Sequence, residues 1–473
     1  MLKILSASVL LLAIGIIAAP IPLNDHSFRS FDNDKHLKLV TPQISELWDV
    51  HNITLQFSTR NYLYTKDTAM IKNRWQLHFA DSINFHDIDF NFRIRLDSPG
   101  DRVRDVGWGA AGSDRWVDDV NDPGFVYDAD RIAAYYTPND RFKFGFGKDR
   151  HNWGPLELGG LLVSDYNEGF TGFYQQYTLG AFVLRGLTAQ LNSMVVDGDV
   201  MQRYFSAARL EYSKPDYGLA FGQSMLYVGA GRSWEMQYFF PFFIFHYGQM
   251  AYSRGYDNQG QNSQGSLDGY YKIYKLPLEV YGELFVDDFQ GHSDSASQSV
   301  QNTVSWMAGL RLKGADPWYG FIEGGKISTY SYNHKDAGKQ LMHNKCFIAT
   351  PLGPDQQLLW GKFGRKFLGD MLGADFNFWF RRSGEWRVRD ILRPYEDLGG
   401  TRKDKQPFGI VEEEISFWTS LSYRKFFVDA EMRGGITTYI DRDNKKLYQN
   451  QSNIETYPFV GIFMSSGLSV RAK

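Results

Sequence analysis

The sequence has little cysteine, little net charge and no long apolar run inside the chain. Its single cysteine, Cys346, excludes an internal disulfide and carries no metal or redox motif. The mean hydropathy is low, at −0.39, and this value excludes a helical membrane protein. A formal net charge of −3 provides no basic surplus, so nucleic acid is not expected as a partner.

Linkers are also missing. The 473 residues contain no Pro-rich, Ser-rich or like-charge run of the kind that separates domains. Aromatic residues, in contrast, are abundant: 36 Phe, 28 Tyr and 12 Trp make up 16% of the chain, alongside 46 Gly. High aromatic and glycine content with low mean hydropathy is typical of a large β-barrel, in which lipid-facing and lumen-facing residues average out.

The N-terminus has the features of an export signal. Lys3 supplies a positive start, residues 10–17 form an apolar core, and Ala18 and Ala19 are small residues suited to cleavage. The apolar run is too short for an anchor helix, which needs about 20 residues. We therefore predict a signal peptide at 1–19, an N-terminal lead-in at 20–48, and a β-barrel at 49–473.

Apolar and polar residues alternate along many segments after residue 49. In 88–96, for example, Ile, Phe and Leu occupy one face, while Asp, Asn and Arg occupy the other. The same two-residue period recurs at 204–212, 278–286 and 426–433. Because an apolar face must meet lipid, we predict that the opposite faces line a lumen. The predicted lumen-facing residues are Arg93, Arg95, Arg209, Glu211, Glu279, Glu283, Asp429, Glu431 and Arg433.

A β-sandwich would also alternate, but its core is thin, and single cores usually stop growing at roughly 250 residues. Here the pattern continues for most of the chain without a break. Together with the export signal, this favours an all-β fold, a transmembrane outer-membrane antiparallel β-barrel of about 16–18 strands with long extracellular loops. We expect a monomer surrounded by outer-membrane lipid in a Gram-negative bacterium.

Two kinds of segment interrupt the strand pattern. The strand in 141–149 ends in a cluster of polar residues around Trp153, which indicates either a polar site near the barrel rim or a stabilising Gly-Pro turn. The segment 97–130 is too long for a plain turn and is predicted to be a functional loop.

Aromatic faces beside acids and amides are suited to sugar binding. The candidate polysaccharide-binding residues are Trp108, Trp116, Asp118, Asp119, Trp153, Asp257 and Asn258.

The segment 236–247, MQYFFPFFIFHY, is apolar on both faces around Pro241 and is too short for a spanning helix. Tyr and Phe gather at the headgroup level of membrane barrels, so we favour an aromatic interface segment. A helical lid or plug packed on protein is the alternative.

Several motifs occur in the order found in one known family. The Trp153-Gly154-Pro155 turn is followed by the Leu-Leu-Val-Ser run at 161–164, and the strand at 203–210 comes next. Pro241, the Asp-Asn pair at 257–258 and the Tyr-Gly-Glu run at 281–283 follow. Over about 147–290 the sequence resembles the Wzi capsule-assembly family. The resemblance implies an 18-stranded outer-membrane barrel that acts as a lectin-like anchor for exported capsular polysaccharide.

Two functions are alternatives to polysaccharide binding. A general porin or solute channel is the main alternative, and an outer-membrane hydrolase ranks last. The acidic pairs at 118–119 and 287–288 and the acidic run at 412–414 are possible acid/base groups, but adjacent acids on a strand point to opposite faces. The sequence contains no H-E-x-x-H, G-x-S-x-G or phosphate-loop motif. We therefore predict no enzymatic activity, no metal and no cofactor, with surface polysaccharide as the partner.

Overall fold

The structure is a computed structural model. It describes residues 50–64, 70–85, 87–97, 126–165, 169–196, 198–247, 260–287, 303–334, 337–343, 346–350, 352–384, 407, 409–425, 428–441 and 454–472. The predicted signal peptide and lead-in, 1–48, lie outside these residues, so both stay predictions.

The described residues form mainly β-strands, which vary from two to 19 residues in length. The strands are β1 (Val50–Tyr64), β2 (Met70–Phe85), β3 (Ile88–Asp97), β4 (Val126–Asn139), β5 (Phe142–Asp149), β6 (Phe170–Leu179), β7 (Phe182–Gln190), β8 (Met194–Val196), β9 (Asp199–Ser213), β10 (Tyr217–Ala230), β11 (Gly260–Lys272), β12 (Leu278–Val286), β13 (Val304–Leu312), β14 (Trp318–Ile327), β15 (Met342–His343), β16 (Cys346–Phe347), β17 (Gln356–Phe367), β18 (Leu372–Ser383), β19 (Glu412–Lys425), β20 (Val428–Ile440) and β21 (Ile454–Ala472).

Nineteen of these strands form one sheet, and that sheet closes on itself. The first strand, β1, pairs antiparallel with both β2 and β21. The three-residue strand β8 is an appendage on β9, which leaves a ring of 18 strands in the described chain. Closure satisfies the backbone groups of every ring strand, as a bilayer requires. The structure thus confirms the predicted all-β, antiparallel barrel with 16–18 strands.

Side chains alternate between the two faces of the wall. On β10, Leu219 and Phe221 are 58% and 57% exposed, whereas Ala220 and Ser224 are buried. On β5, three phenylalanines occupy the outer face, and Lys143 and Gly145, which alternate with them, lie on the inner face. The outer face is therefore the apolar, lipid-facing one.

The two ends of the barrel differ. Two-residue turns such as 180–181 join strands at one end, whereas long connections such as 150–169 and 328–355 lie at the other. In outer-membrane barrels the short turns are periplasmic and the long loops extracellular. The interruption predicted for 97–130 is shorter than expected, because its last five residues, from Val126, belong to β4.

Two of the long connections fold into the lumen and share a hydrophobic core. Leu158, Leu161 and Val163, in the connection after β5, are fully buried. They belong to the same buried cluster as Ile348 and Leu352, in the connection after β14. We call residues 152–164 the inserted loop. Its packing means that the lumen contains a folded plug, which enters from the long connections and extends as far as Arg311, near the short-turn end of β13.

Helical structure is minor in the described residues. Two 3-10 turns occur, at Met236–Phe239 and Ala337–Lys339. Within the described ranges, no helix has the length and apolar character needed to cross a bilayer.

Candidate functional site

A cavity of about 390 Å³ lies inside the barrel between the inner faces of β4 to β7 and the start of the inserted loop. We call it the β4–β7 cavity. This volume falls within the range of small-ligand pockets. The cavity is lined, among others, by the side chains of Arg131, Tyr135, Lys143, Asp149, Arg150, His151, Trp153, Tyr174 and Arg185.

Glycines on β5 make room for the aromatic side of this cavity. A Cβ atom on Gly145 would lie 2.5 Å from the ring of Tyr135, so only glycine allows that ring to cross the strand. Gly147 has φ +134°, and a Cβ there would lie 2.1 Å from the carbonyl oxygen of Ile132. The rings of Tyr135 and Tyr174 consequently lie side by side, with centroids 6.0 Å apart.

Asp149 organises the polar side of the cavity. Its buried carboxylate accepts a hydrogen bond from Arg131 Nε at 2.6 Å and another from the hydroxyl of Tyr135. It also accepts the backbone N–H of Arg150 at 2.7 Å. These contacts hold two strands and the start of the connection in a fixed arrangement, since a buried carboxylate needs several donors.

Positive charge outweighs negative charge around the cavity. Arg131, Lys143, Arg150 and Arg185 contribute cations, and Asp149 is the acid among the lining residues. Lys143 Nζ lies 4.4 Å from the centroid of the Tyr135 ring. Arg185 Nη1 lies 3.5 Å from a carboxylate oxygen of Glu211, which extends the network along the lumen. The cavity is therefore suited to a polar ligand that carries negative charge.

His151 provides a neutral hydrogen-bonding group in the same place. Its ring lies against Tyr174, with centroids 4.0 Å apart. Burial lowers the pKa of His151 to about 4, with Asp149 opposing the shift and Arg131 adding to it. Its Nε2 atom is buried without a hydrogen-bond partner among the described residues. A buried polar atom of this kind favours a ligand or water that hydrogen-bonds to it.

Trp153 anchors the inserted loop beside the cavity. The residue is buried, and its backbone N–H donates to the carbonyl of Val163 at 3.0 Å, which closes the loop on itself. Gly154, with φ +115°, makes the turn that follows. Of the two interpretations of this stretch, the polar site and the stabilising turn, the structure contains features of both: Trp153 lines a polar cavity and also packs in the core.

Acidic side chains of the barrel wall hold the inserted loop in place. The carboxylate of Glu323 accepts the backbone N–H of Glu157 at 2.7 Å and that of Leu158 at 3.1 Å. Arg311 bridges Glu279 on β12, at 2.6 Å, to Glu157 in the loop, at 2.8 Å. The loop is therefore tied to the wall by charge-assisted hydrogen bonds, which are stronger than neutral ones.

The predicted binding residues are only partly within the described chain. Trp153 lines the β4–β7 cavity. The other candidates, Trp108, Trp116, Asp118, Asp119, Asp257 and Asn258, lie outside the described residues. Their part in polysaccharide binding stays a prediction.

The predicted lumen residues form several ion pairs. Arg209 binds Asp268 at 2.5 Å and Glu211 at 2.9 Å. Glu431 pairs with Arg433, and both are buried. Glu279 and Glu283 are buried on β12, Arg93 is half-buried, and Asp429 pairs with Arg424 near the short-turn end. The side chain of Arg95 is outside the described part.

Sequence reasoning did not select the residues of β4, β6 and β7 that line the cavity. Arg131 and Tyr135 alternate with apolar residues as in any strand of this chain, and Tyr174 and Arg185 do likewise. Their convergence depends on the pairing of β4 with β5, β5 with β6 and β6 with β7. The signal that was available was the polar cluster at the end of β5, which contains Asp149 and His151.

No protein-family model and no curated protein matches the sequence. Among solved structures the chain is similar to Wzi, described as an outer-membrane protein involved in group 1 capsule assembly in Escherichia coli and a carbohydrate-binding β-barrel. The TM-score is 0.55 with 15% identity, over 86% of this chain and 83% of that one. The fold is that of an outer-membrane β-barrel.

Porin-like barrels also match, at lower TM-scores. OccD1 (OprD) has a TM-score of 0.48 and 10% identity over 88% of this chain and 96% of that one. The outer-membrane protein OpdK of Pseudomonas aeruginosa has 0.48 and 9% over 89% and 99%.

Proposed function

We propose that this barrel binds surface polysaccharide non-covalently and holds it at the cell face. The observation that carries the proposal is the β4–β7 cavity, where aromatic rings, cations and a buried histidine nitrogen converge inside the lumen. Sugar rings present apolar faces that pack on aromatics and hydroxyls that hydrogen-bond to polar groups. The β4–β7 cavity offers both kinds of contact within one site.

Charge favours an acidic glycan over a neutral one. The cations that line the cavity outnumber the acids, and Asp149 is already engaged by Arg131 and Tyr135. A carboxylate on a sugar would accept charge-assisted hydrogen bonds from these cations, and such bonds are stronger than neutral ones. The structural similarity to a barrel described as carbohydrate binding supports the same proposal.

Binding rather than catalysis is proposed because the candidate acid/base groups within the described residues make structural contacts. Asp287 is buried and accepts the backbone N–H of Tyr332 at 2.6 Å. Glu412 and Glu414 both pair with Arg381, at 3.0 and 2.9 Å. Such contacts explain these carboxylates as supports of the lumen and its loops.

The inserted loop favours a binding protein over a general channel. It fills part of the lumen and shares a core with the connection after β14. We expect single-channel conductance in planar bilayers to be far below that of open porins. Large, steady conductance of the purified wild-type protein would favour the channel alternative instead.

The cellular test is deletion of the gene followed by complementation. We expect deletion to lower cell-bound surface polysaccharide and the wild-type gene to restore it. A Lys143→Ala variant should restore less, because it removes a cavity cation that lies over Tyr135. Lys366→Ala is the matched control, since Lys366 on β17 is remote from the cavity and pairs with the exposed turn residues Asp316 and Asp370. Unchanged glycan retention in the deletion strain would refute the proposed function.

A further inference from the structure

The aromatic segment 236–247 lies against the outer wall of the barrel. It belongs to the connection after β10, yet it packs over strands β6, β7, β9 and β10. A Cβ atom on Gly186 would lie 3.2 Å from Pro241. Gly186 alternates with Arg185, whose side chain reaches Glu211 in the lumen, so Gly186 is on the outer face. The segment therefore covers the lipid side of the wall.

Aromatic side chains attach the segment to this wall. Tyr238 and Phe245 are each 1% exposed and belong to a buried cluster with Tyr204, Met225 and Tyr227. The rings of Tyr227 and Tyr238 lie 4.8 Å apart. The wall residues of this cluster, which also include Ala208, are on the outer faces of β9 and β10, at positions that alternate with the buried lumen residues Arg203 and Leu226.

Polar side chains on the outer wall satisfy the backbone of the segment. Gln175 Nε2 donates to the carbonyl of Phe239 at 2.6 Å, and Thr188 Oγ1 donates to that of Tyr238 at 3.0 Å. Gln223 makes two contacts, donating to one carbonyl of the segment at 2.6 Å and accepting a backbone N–H at 3.0 Å. Irregular backbone survives at membrane depth only where protein groups satisfy it, so these contacts suit a segment inside the bilayer.

The segment extends well below the rim. It packs on Tyr227, which pairs with Tyr204 of β9, and it reaches Tyr177, whose ring lies 5.9 Å from that of Phe242. Tyr177 pairs with Leu184 of β7, which in turn pairs with Leu210 of β9. From Tyr204 to Leu210 the strand rises about 20 Å at roughly 3.3 Å per residue. Since the apolar band of such barrels is about 25 Å tall, with strands tilted by about 40°, the segment reaches deep into it.

The outward side of the segment is a continuous apolar ridge. Phe242 is 74% exposed, and Phe240 and Ile244 beside it are also exposed. On the same outer faces, beyond the cluster that the segment covers, the wall residues Leu210 and Phe221 are exposed. An exposed aromatic ridge of this kind, on the lipid side of the wall, fits a hydrocarbon environment.

We propose that residues 236–247 are a re-entrant membrane segment whose ridge of Phe240, Phe242 and Ile244 inserts among the acyl chains of outer-leaflet lipids. The segment begins and ends at the long-connection end, so its lipids belong to the leaflet on that side. The outward-facing glutamines Gln175 and Gln223 are positioning residues that hold the segment on the wall.

Spin labelling of the full-length barrel in lipid vesicles tests this placement. Phe242→Cys in a Cys346→Ser background carries the nitroxide, and accessibility is measured with oxygen and with a water-soluble nickel chelate. Leu219→Cys is the lipid-facing control and Tyr274→Cys, in an exposed short turn, is the water-facing control. We expect the label at 242 to behave like that at 219, with oxygen accessibility several-fold above nickel accessibility.

Two results would overturn the proposal. Nickel accessibility at 242 equal to that at 274 would place the ridge in water. Low accessibility to both reagents together with spin–spin broadening would show that the ridge contacts a second copy of this chain instead of lipid.

A matched pair of variants tests the role of the glutamines. Gln175→Leu removes a hydrogen bond to the segment, whereas Gln176→Leu changes the neighbouring, lumen-facing residue that accepts from Arg185. We expect greater mobility of the label at 242 in the first variant only. Equal mobility in the wild-type background and both variants would contradict the positioning role of Gln175.

Discussion

The carboxylate of Glu323, on strand β14, accepts a hydrogen bond of 3.1 Å from the backbone N–H of Leu158. Leu158 lies in the inserted loop, which is distant from β14 in sequence. The same carboxylate accepts the N–H of Glu157 at 2.7 Å. A single buried acid of the wall therefore binds two backbone donors of the loop that borders the β4–β7 cavity.

Replacing this acid should loosen the inserted loop. Glu323→Gln places an amide NH2 against one of the two backbone donors, and we expect the free energy of local opening to fall by about 1.5–3 kcal/mol. Cleavage of the loop by thermolysin should accelerate accordingly. Glu431→Gln is the control, since Glu431 is a buried acid that pairs with Arg433 elsewhere in the wall. Equal cleavage rates in the two variants would contradict this role of Glu323.

Two buried histidines should make the barrel sensitive to acid. Burial lowers the pKa of His151 to about 4 and that of His343 to about 3, both below the unfolded value near 6.5. Because the unfolded chain binds these protons first, stability is complete above pH 6.5 and falls as pH drops toward the folded values. Each histidine contributes roughly 1.4 kcal/mol per pH unit in that window.

The measurement is the urea midpoint of the refolded barrel between pH 7.5 and 4.5. His343 Nδ1 accepts the backbone N–H of Asn192, so protonation also removes a hydrogen bond. A His343→Gln variant should show a shallower pH dependence than the wild type. An identical slope in both proteins would show that acid sensitivity arises elsewhere.

The predicted facing of β3 can be tested by moving a charge across it. Phe90 and Ile94 are exposed on the outer face, so Phe92 shares that face and Arg93 the other. Phe92→Arg should destabilise assembly by about 2–4 kcal/mol if it lies near the midplane. Asn91→Arg is the matched lumen control and should assemble normally, as judged by the gel shift on boiling. Equal tolerance of both substitutions would show the predicted facing to be wrong.

Strand periodicity predicted the barrel well, because the two faces of a membrane strand meet opposite environments. The alternation at 88–96 and 278–286 corresponds closely to β3 and β12. The cavity was less accessible to prediction. Its residues come from four strands, and the loop beside it is fixed by Glu323, which is 165 residues from Leu158 in sequence. Contacts between residues so far apart leave no local pattern in the sequence from which the cavity could be predicted.

The segment 236–247 illustrates the same limit. Its composition predicted contact with the membrane interface, but its depth depends on polar anchors such as Gln175 and Gln223, which occupy apolar positions in the period of their strands. A glutamine on a lipid-facing position was the available signal. That signal could not be interpreted from the sequence, because the sequence does not show which backbone group the glutamine binds.

The tryptophans of the loop after β3 are predicted to contribute to glycan retention. We expect Trp108→Ala combined with Trp116→Ala to reduce cell-bound polysaccharide while the heat-stability of the barrel stays unchanged. The physical reason is the loss of aromatic faces for sugar rings to pack on. Loss of heat-stability in parallel would show instead that these residues pack the loop over the lumen.

Direct binding of purified surface polysaccharide from the producing bacterium to the purified barrel, measured by isothermal titration calorimetry, tests the central claim. The account predicts saturable binding by the wild type and by Lys366→Ala, several-fold weaker binding by Lys143→Ala, and further weakening as salt screens the cavity cations. Absence of binding by the folded wild-type barrel, or equal affinity of all three proteins, would contradict it.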